Sequence, residues 1–260
     1  MTTLIFDLDE TLVHEHASVR ETFHATCLIA EEQVGVDATA LSQTVQERAR
    51  ELWYDVCPVR PYCVNIGISF WEGLSGTFSG DDLRLAKLRA WIPAYRQEAW
   101  TRALSAYGIQ DEALVEELIQ SFRVERGKRH VVYPETYAVL SVLHDRFSLA
   151  MITNGASEVQ REKLNAPGLA VYFDLVIVSG EIGVGKPSPE VYQHTLEKLG
   201  IDGNEAIMIG DNPINDVQGA QRAGMRGVWV NRTDSPCPDG VVPDGIISDL
   251  TPLLSADWPG

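Results

Sequence analysis

The second half of the chain alternates short apolar runs with amphipathic segments, and this alternation restricts the fold more than any other feature. Four apolar runs, residues 149–152, 175–178, 206–209 and 227–230, are short enough and apolar enough to be buried strands. Between them, apolar residues recur at helical spacing. Strands separated by such helices are typical of a doubly wound, Rossmann-like parallel sheet, so the predicted fold class is α/β.

Boundary residues support the helices between these strands. Ser188 is predicted as an N-cap because Pro189 follows it at the first helical position, and Gly200 suits the C-terminal end of the same helix. Further predicted elements are a helix over residues 134–146, a strand at residues 246–247 and a short helix over residues 249–254.

The first half of the chain has a different pattern. Residues 40–52 and 82–107 are predicted as helices, whereas residues 57–80 contain Pro, Gly and aromatic residues and are predicted as a loop. We therefore expect a helical cap inserted after the first strand. The predicted domains are a core of residues 1–13 and 130–255, a cap of residues 14–129, and a tail of residues 256–260.

Composition excludes several classes of partner. The 260 residues are 45% hydrophobic, enough for a core domain plus an insertion. With 21 basic and 37 acidic residues, the net charge of −16 argues against binding to a nucleic acid polymer or an anionic membrane. No basic segment with a long apolar run opens the chain, and the cysteines, including Cys57 and Cys63, are expected to be reduced. We expect a cytoplasmic protein; its oligomeric state is not predicted.

Polar residues follow the ends of the predicted strands. In a parallel sheet these ends lie at one edge, which is where α/β folds place ligands. Asp7 and Asp9 share a face, and two such acids gain from a shared cation or proton. Taken singly, each motif also fits an ordinary turn or helix cap. The residues concerned are Asp7, Asp9, Thr153, Asn154, Lys186, Asp211 and Asp216.

Each residue type has a chemical role if the substrate is a phosphate monoester. A carboxylate that attacks a dianionic phosphoryl group needs Mg²⁺ and an ammonium such as Lys186 to offset repulsion. The Thr153 hydroxyl and nearby backbone N–H groups would hold phosphoryl oxygens. Asp9 would protonate the leaving oxygen and then deprotonate the water that cleaves an aspartyl-phosphate.

In order and type, these motifs resemble those of haloacid dehalogenase superfamily phosphatases with a helical cap. The Thr-Asn-Gly form of the second motif is similar to the branch that contains N-acylneuraminate-9-phosphatase and pyrimidine nucleotidases. The first acid of the last motif is followed by Asn212, where relatives often carry Ser or Thr, and we expect its amide to make similar hydrogen bonds. The four motifs are Asp7-Leu8-Asp9-Glu10-Thr11, Thr153-Asn154-Gly155, Lys186-Pro187, and Gly210-Asp211 with Asp216.

The resemblance implies a role for each matching residue. Asp7 would be the nucleophile and Asp9 the acid/base. Mg²⁺ would be bound by Asp7, the backbone carbonyl of Asp9, and Asp211. The phosphoryl group would be held by Thr153, Asn154 and Lys186, with Thr11 and Asp216 supporting the site from behind.

Three other functions remain open at this point. A 2-haloacid dehalogenase of the same superfamily needs no second acid, so Asp9 disfavours it. A phosphomutase would pass the phosphoryl group to a sugar hydroxyl. A non-catalytic binding module on this fold is disfavoured because the set of catalytic residue types is intact.

Selection of the small phosphomonoester is expected to come from the cap, since the motifs recognise only a phosphoryl group and a metal. Arg60 and Trp71 are the candidates for that role. His14 and His16 are predicted as exposed loop residues.

Overall fold

A computed structural model describes residues 2–255 and Trp258, so the predicted tail, residues 256–260, lies outside the described residues except for Trp258. The chain divides into two compact units. Among the described residues, a sheet unit contains residues 2–15, 131–154, 163–255 and Trp258, and a helical unit contains residues 16–130 and 155–162.

The sheet unit contains six parallel strands, which confirms the predicted Rossmann-like α/β class. The strand order is β3-β2-β1-β4-β5-β6, so β1 is central, and Phe6 at its end pairs with Met151 on one side and Ile209 on the other. Leu4 and Phe6 pack into the apolar cluster on one face, and Ile5 packs into the other. The strands are β1 (Thr3–Phe6), β2 (Ser148–Thr153), β3 (Leu175–Val178), β4 (Ala206–Gly210), β5 (Arg226–Val230) and β6 (Gly245–Ile247).

Eleven α-helices and several shorter turns accompany the strands in the described residues. None of these helices is both long and apolar enough to cross a bilayer. The helices are α1 (Glu15–Val34), α2 (Ala38–Val56), α3 (Arg60–Ile66), α4 (Phe70–Ser75), α5 (Leu83–Ser105), α6 (Glu112–Lys128), α7 (Thr136–His144), α8 (Ser157–Asn165), α9 (Ser179–Ile182), α10 (Pro189–Leu199) and α11 (Gly219–Arg222). The 3-10 turns are Leu169–Tyr172, Gly203–Glu205 and Thr251–Leu254, and a π-helical turn covers Pro213–Gln218.

Local sequence signals predicted the strands and the helices α2, α5, α7 and α10 to within about four residues, whereas helices such as α1 and α6 were not individually predicted. Helix α10 begins at Pro189 and ends before Gly200, whose positive φ of 68° closes the helix as expected. Ser188 occupies the N-cap position, but its side chain makes no capping bond and instead donates to the Glu190 carboxylate. The short helix predicted near residue 250 is the 3-10 turn Thr251–Leu254.

The helical unit has its own core, in which large aromatic side chains pack among aliphatic ones. Trp53 and Tyr95 are buried, with ring centroids 5.4 Å apart, and Phe23 packs at 4.6 Å against Phe122. Most of the aromatic residues in this part of the sequence therefore stabilise helix packing.

The predicted loop at residues 57–80 was wrong, because two short helices occupy it. Helix α3 has proline near its first turn and ends at Gly67, which has a φ of 79°. Helix α4 begins with a capping box, in which Ser69 and Glu72 bond each other's backbone N–H groups. The Pro and Gly residues that suggested a loop are thus helix boundary residues.

The cysteines of this segment are reduced thiols, as expected. The sulfur atoms of Cys57 and Cys63 lie 3.9 Å apart, within hydrogen-bonding reach, and no disulfide joins them.

The predicted division of the chain also needs a correction, because residues 155–162 belong to the helical unit. The buried carboxylate of Glu72 accepts hydrogen bonds from the Ala156 backbone, at 3.3 Å, and from the Gln160 side chain, at 3.1 Å. Ala156 and Val159 pack into the helical core. These long-range contacts have no signature in the local sequence.

The glycine of the Thr-Asn-Gly motif is required by this packing. Gly155 has a φ of 142°, and a Cβ atom there would overlap the Gln160 side chain and lie 2.6 Å from Glu72 Oε1. Gly108 also has a positive φ, 75°, but open space around it.

We predict that Gly155→Ala lowers the free energy of unfolding by at least about 2 kcal/mol, because backbone strain and overpacking add. Gly108→Ala, the matched control, should cost only about 1 kcal/mol. Urea denaturation of both variants measures the difference, and equal losses would contradict the packing account.

Candidate active site

The end of β1 places the first motif at the centre of the sheet edge. Since β1 lies between β2 and β4, residues that follow these three strands converge, and the Asp7 backbone N–H donates to Ile209 O at 2.9 Å. They line a cleft of about 170 Å³ within the sheet unit. Its lining residues are Asp7, Asp9, Glu10, Thr153, Asn154, Lys186, Asp211, Asn212, Asn215 and Asp216.

The loop after Asp7 is a tight turn that fixes both acids. Glu10 adopts a left-handed conformation with a φ of 57°, which an L-residue rarely takes and which Gly adopts without cost. Beyond it, the Leu12 N–H donates to Leu8 O at 2.9 Å and the Glu10 N–H donates to Val13 O at 2.7 Å. The backbone therefore turns sharply after Asp9.

Thr11 does not line the cleft but joins two of the acids that do. It is fully buried, and its hydroxyl donates to Asp7 Oδ2 at 3.2 Å and accepts from the Asp211 backbone N–H at 3.1 Å. The Trp229 indole donates to the Asp211 carbonyl at 2.8 Å. The supporting role of Thr11 in catalysis stays a prediction.

Lys186 lies between two acids. Its ammonium is 2.6 Å from Asp7 Oδ1 and 2.7 Å from Asp216 Oδ1, and its side chain is buried. Burial lowers the pKa of Lys186, but Asp216 and Asp7 outweigh burial and leave it raised, so the ammonium stays protonated. Asp216 is also held by the Asn212 backbone N–H at 2.9 Å.

Around Lys186, the cleft contains more carboxylates than ammonium groups. Burial raises the pKa of Asp7, and the neighbouring acids raise it further while Lys186 opposes them. The pKa of Asp211 is raised by burial, then by Asp7 and Asp216. Each of these two carboxyl groups is therefore harder to ionise than a free aspartate. A further cation beside them would lower the pKa of both.

The donor atoms suit a hard divalent cation. Carboxylate oxygens of Asp7, Asp211 and Asp216 lie within 4.8 Å of one another. Oxygen ligands of this kind fit Mg²⁺, and the predicted ligands Asp7 and Asp211 belong to the group. The Asp9 carboxylate contacts the Lys163 ammonium, at 3.0 and 2.8 Å, and the backbone carbonyl of Asp9 stays a predicted metal ligand.

The Asn154 side chain bonds to the backbone of Lys186, and the predicted part of Asn154 in phosphate binding stays a prediction. Its Nδ2 donates to Lys186 O at 2.8 Å, and its Oδ1 accepts from the Lys186 N–H at 2.9 Å. This reciprocal pair fixes the loop that carries Lys186, because both ends of the carboxamide are engaged. The neighbouring Thr153 is buried at the end of β2 and lines the cleft.

Asn212 makes the hydrogen bonds expected of its amide. It is the N-cap of the π-helical turn, and its Oδ1 accepts from the backbone N–H groups of Ile214, at 3.1 Å, and Asn215, at 3.0 Å. Asn215 itself lines the cleft and was not predicted from the sequence.

The most important residue that the sequence did not reveal is Lys163. Its side chain is 2% exposed, and its ammonium lies 2.8 Å from Asp9 Oδ2 and 2.9 Å from Glu15 Oε1. In the sequence it ends a polar run, Gln160 to Lys163, that is typical of a solvated helix. Nothing in its residue type separates it from a surface lysine.

The two predicted specificity residues lie in the helical unit. Arg60 is exposed, donates to Tyr54 O at 2.7 Å and lies over the Tyr54 ring. Trp71 is half-buried and packs edge-on at 4.9 Å against Phe70. The role of both in substrate selection stays a prediction.

The histidines after the first motif differ from each other. His16 is exposed, as predicted, but it lies in helix α1 and not in a loop. His14 is half-buried, stacks on Tyr133 at 5.1 Å and pairs with Glu10 at 3.0 Å.

Comparison with known proteins agrees with the resemblance seen in the motifs. The sequence model of the haloacid dehalogenase-like hydrolase family matches residues 1–224 of this chain. A phosphoserine phosphatase of Thermus thermophilus is 36% identical over 99% of both chains. The N-acylneuraminate-9-phosphatase of Mus musculus is 30% identical over 64% of this chain and 69% of its own.

A solved structure shares the fold. The crystal structure of the HAD-hydrolase YfnB of Bacillus subtilis bound to magnesium superposes with a TM-score of 0.65 at 21% identity, over 97% of this chain and 96% of that chain.

The acid cluster predicts an unusual pH dependence of stability in a metal chelator. Because the folded protein raises the pKa of Asp7 and Asp211 above the ordinary 3.8, it binds their protons more tightly than the unfolded chain. The stability they contribute is complete at acid pH and is lost as pH rises through their folded pKa values.

We therefore expect the free energy of unfolding to fall as the pH rises from about 5 to about 9. In Asp211→Asn this fall should be smaller than in the wild type, by on the order of 1–3 kcal/mol. Asp81→Asn, which removes an exposed carboxylate, controls for net charge. Chemical denaturation across this range measures the slopes. A slope in Asp211→Asn equal to that of the wild type would contradict the clustering.

Proposed function

Because the chain belongs to the haloacid dehalogenase-like hydrolase family, we propose that it is a Mg²⁺-dependent phosphatase that hydrolyses small phosphomonoesters through an aspartyl-phosphate. The observation that carries the proposal is the pairing of Asp7 and Asp9 in one cleft, each with its own buried ammonium. The first acid is then held as a nucleophile and the second as a proton donor and acceptor.

Asp7 attacks the phosphorus atom. One of its oxygens accepts from Lys186 and the other from Thr11, so the carboxylate orientation is set before substrate arrives. A fixed nucleophile reduces the entropy lost on reaching the transition state. Attack forms a bond between an Asp7 oxygen and phosphorus and breaks the bond to the ester oxygen.

The remaining residues hold the phosphoryl group and its charge. The Thr153 hydroxyl, the Asn154 backbone N–H and the Lys186 ammonium bind phosphoryl oxygens. Asp7, Asp211 and the Asp9 carbonyl hold Mg²⁺, which when bound offsets the negative charge of acids and phosphoryl oxygens. Asp216 keeps Lys186 in place at 2.7 Å.

Asp9 transfers the protons. It gives a proton to the ester oxygen as the alcohol leaves, then takes a proton from the water that attacks the aspartyl-phosphate. Inorganic phosphate is released and Asp7 is restored.

The size of the cleft and the names of the relatives suggest the substrate class. A cleft of about 170 Å³ accommodates a phosphoryl group and a cation. Phosphoserine is the first substrate to test, because the relative that matches over 99% of both chains is a phosphoserine phosphatase. Phosphorylated sugar acids come second.

The chemistry of the cleft disfavours the other members of the superfamily considered above. A dehalogenase expels a halide and needs no proton donor at Asp9, nor an acid cluster suited to a metal. A phosphomutase must exclude water from its aspartyl-phosphate, and no feature of the sheet unit requires that.

We predict that Asp7→Asn lowers turnover more than about a hundredfold, because an amide cannot form the acyl phosphate. Asp81→Asn should retain wild-type activity. The measurement is released phosphate from phosphoserine and a panel of small phosphomonoesters, with Mg²⁺ and with chelator. Turnover by Asp7→Asn above a hundredth of the wild-type rate, or full activity in excess chelator, would contradict the proposal.

A further inference from the structure

A buried lysine holds the second acid of the first motif by both of its oxygens. Lys163 Nζ lies 3.0 Å from Asp9 Oδ1 and 2.8 Å from Asp9 Oδ2. The same ammonium is 2.9 Å from Glu15 Oε1, and only 2% of the lysine side chain is exposed. Three close contacts to two carboxylates define its position.

Burial of an ammonium is costly unless the surroundings compensate for lost hydration. Glu15, which is itself buried, would suffice to neutralise Lys163. The two contacts to Asp9 go beyond that need, and Asp9 is the partially exposed member, with 29% of its side chain accessible. The ammonium therefore lies behind a carboxylate that faces the cleft.

The two acids of the first motif contact different lysines. Asp7 is held by Lys186, which arrives from the loop beyond β3, and Asp9 is held by Lys163, which arrives from α8. A carboxylate with one ammonium across both oxygens has few side-chain rotamers left. Asp9 thus has a defined orientation at the point where a leaving group would emerge.

We propose that Lys163 is the positioning residue for Asp9 in proton transfer. The inference rests on the proposed function, since it assigns a role within that reaction. Lys163 keeps its own proton throughout; it fixes the direction in which Asp9 gives a proton to the ester oxygen and later accepts one from water. Glu15 leaves Lys163 with a carboxylate partner while Asp9 is protonated.

The test compares leaving groups in Lys163→Met, which keeps side-chain length and removes the charge. Single-turnover phosphoryl transfer is measured with aryl phosphates of increasing leaving-group pKa and with phosphoserine. A good leaving group needs little protonation, so we expect a small effect there and a loss of about tenfold or more for the poor leaving groups. KM should change by less than about twofold, because Lys163 touches no phosphoryl oxygen.

Two further variants separate positioning from stability. Lys163→Arg keeps the charge and should restore most of the lost rate. Glu15→Gln combined with Lys163→Met removes the carboxylate that the single variant leaves buried without its ammonium. We expect the double variant to regain thermal stability but not the rate on poor leaving groups. If Lys163→Met alone does not fold, the leaving-group comparison is made with the double variant.

Two results would overturn the inference: the same loss for every leaving group, or recovery of activity together with stability in the double variant. Either would make Lys163 a structural partner of Glu15. Failure of the proposed function is distinguishable, because the wild type would then release no phosphate from any phosphomonoester. An active wild type, an inactive Asp7→Asn and an unchanged leaving-group dependence in Lys163→Met would reject the positioning role alone.

Discussion

The contact of Lys186 with Asp7 and Asp216 is the interaction on which the site depends. Three carboxylates, counting Asp211, converge at the centre of a parallel sheet edge, and burial raises the pKa of Asp7 and of Asp211. One ammonium at 2.6 and 2.7 Å offsets part of that charge and leaves a net negative cluster. A bound cation would stabilise such a cluster, whereas repulsion between the carboxylates destabilises it without a cation. The proposed metal site and the proposed phosphoryl chemistry both rest on this charge imbalance.

The rest of the sheet unit keeps the two motif acids apart in function. Thr11 and Lys186 fix Asp7, whereas the left-handed Glu10 turns the chain so that Asp9 meets Lys163. Two aspartates one residue apart thus lie in different electrostatic surroundings. In the proposed reaction, this separation lets one carboxylate act as a nucleophile while the other transfers protons.

The sequence predicted the elements and residues whose signals are local. Strands such as residues 206–209 appear as apolar runs in the sequence. Because ligands of α/β folds bind at the carboxyl ends of the strands, Asp7, Lys186 and Asp211 could then be located. Features set by distant contacts were not predictable. Lys163 ends a polar run and is buried only because Asp9 and Glu15 come from elsewhere in the chain, and the Asn154 carboxamide is engaged by a backbone 32 residues away. The loop prediction for residues 57–80 failed because helix-boundary and loop residues are of the same types.

The central claim is that Asp7 carries the phosphoryl group between the two half-reactions. The most direct measurement is to mix an Asp9→Asn enzyme with a radiolabelled phosphomonoester, quench in acid and map the label by mass spectrometry. Asp9→Asn slows hydrolysis of the intermediate, so the account predicts label on the peptide that contains Asp7, at up to one phosphoryl group per chain and lost with hydroxylamine. Label on another residue, or none from a variant that still cleaves the ester, would contradict it.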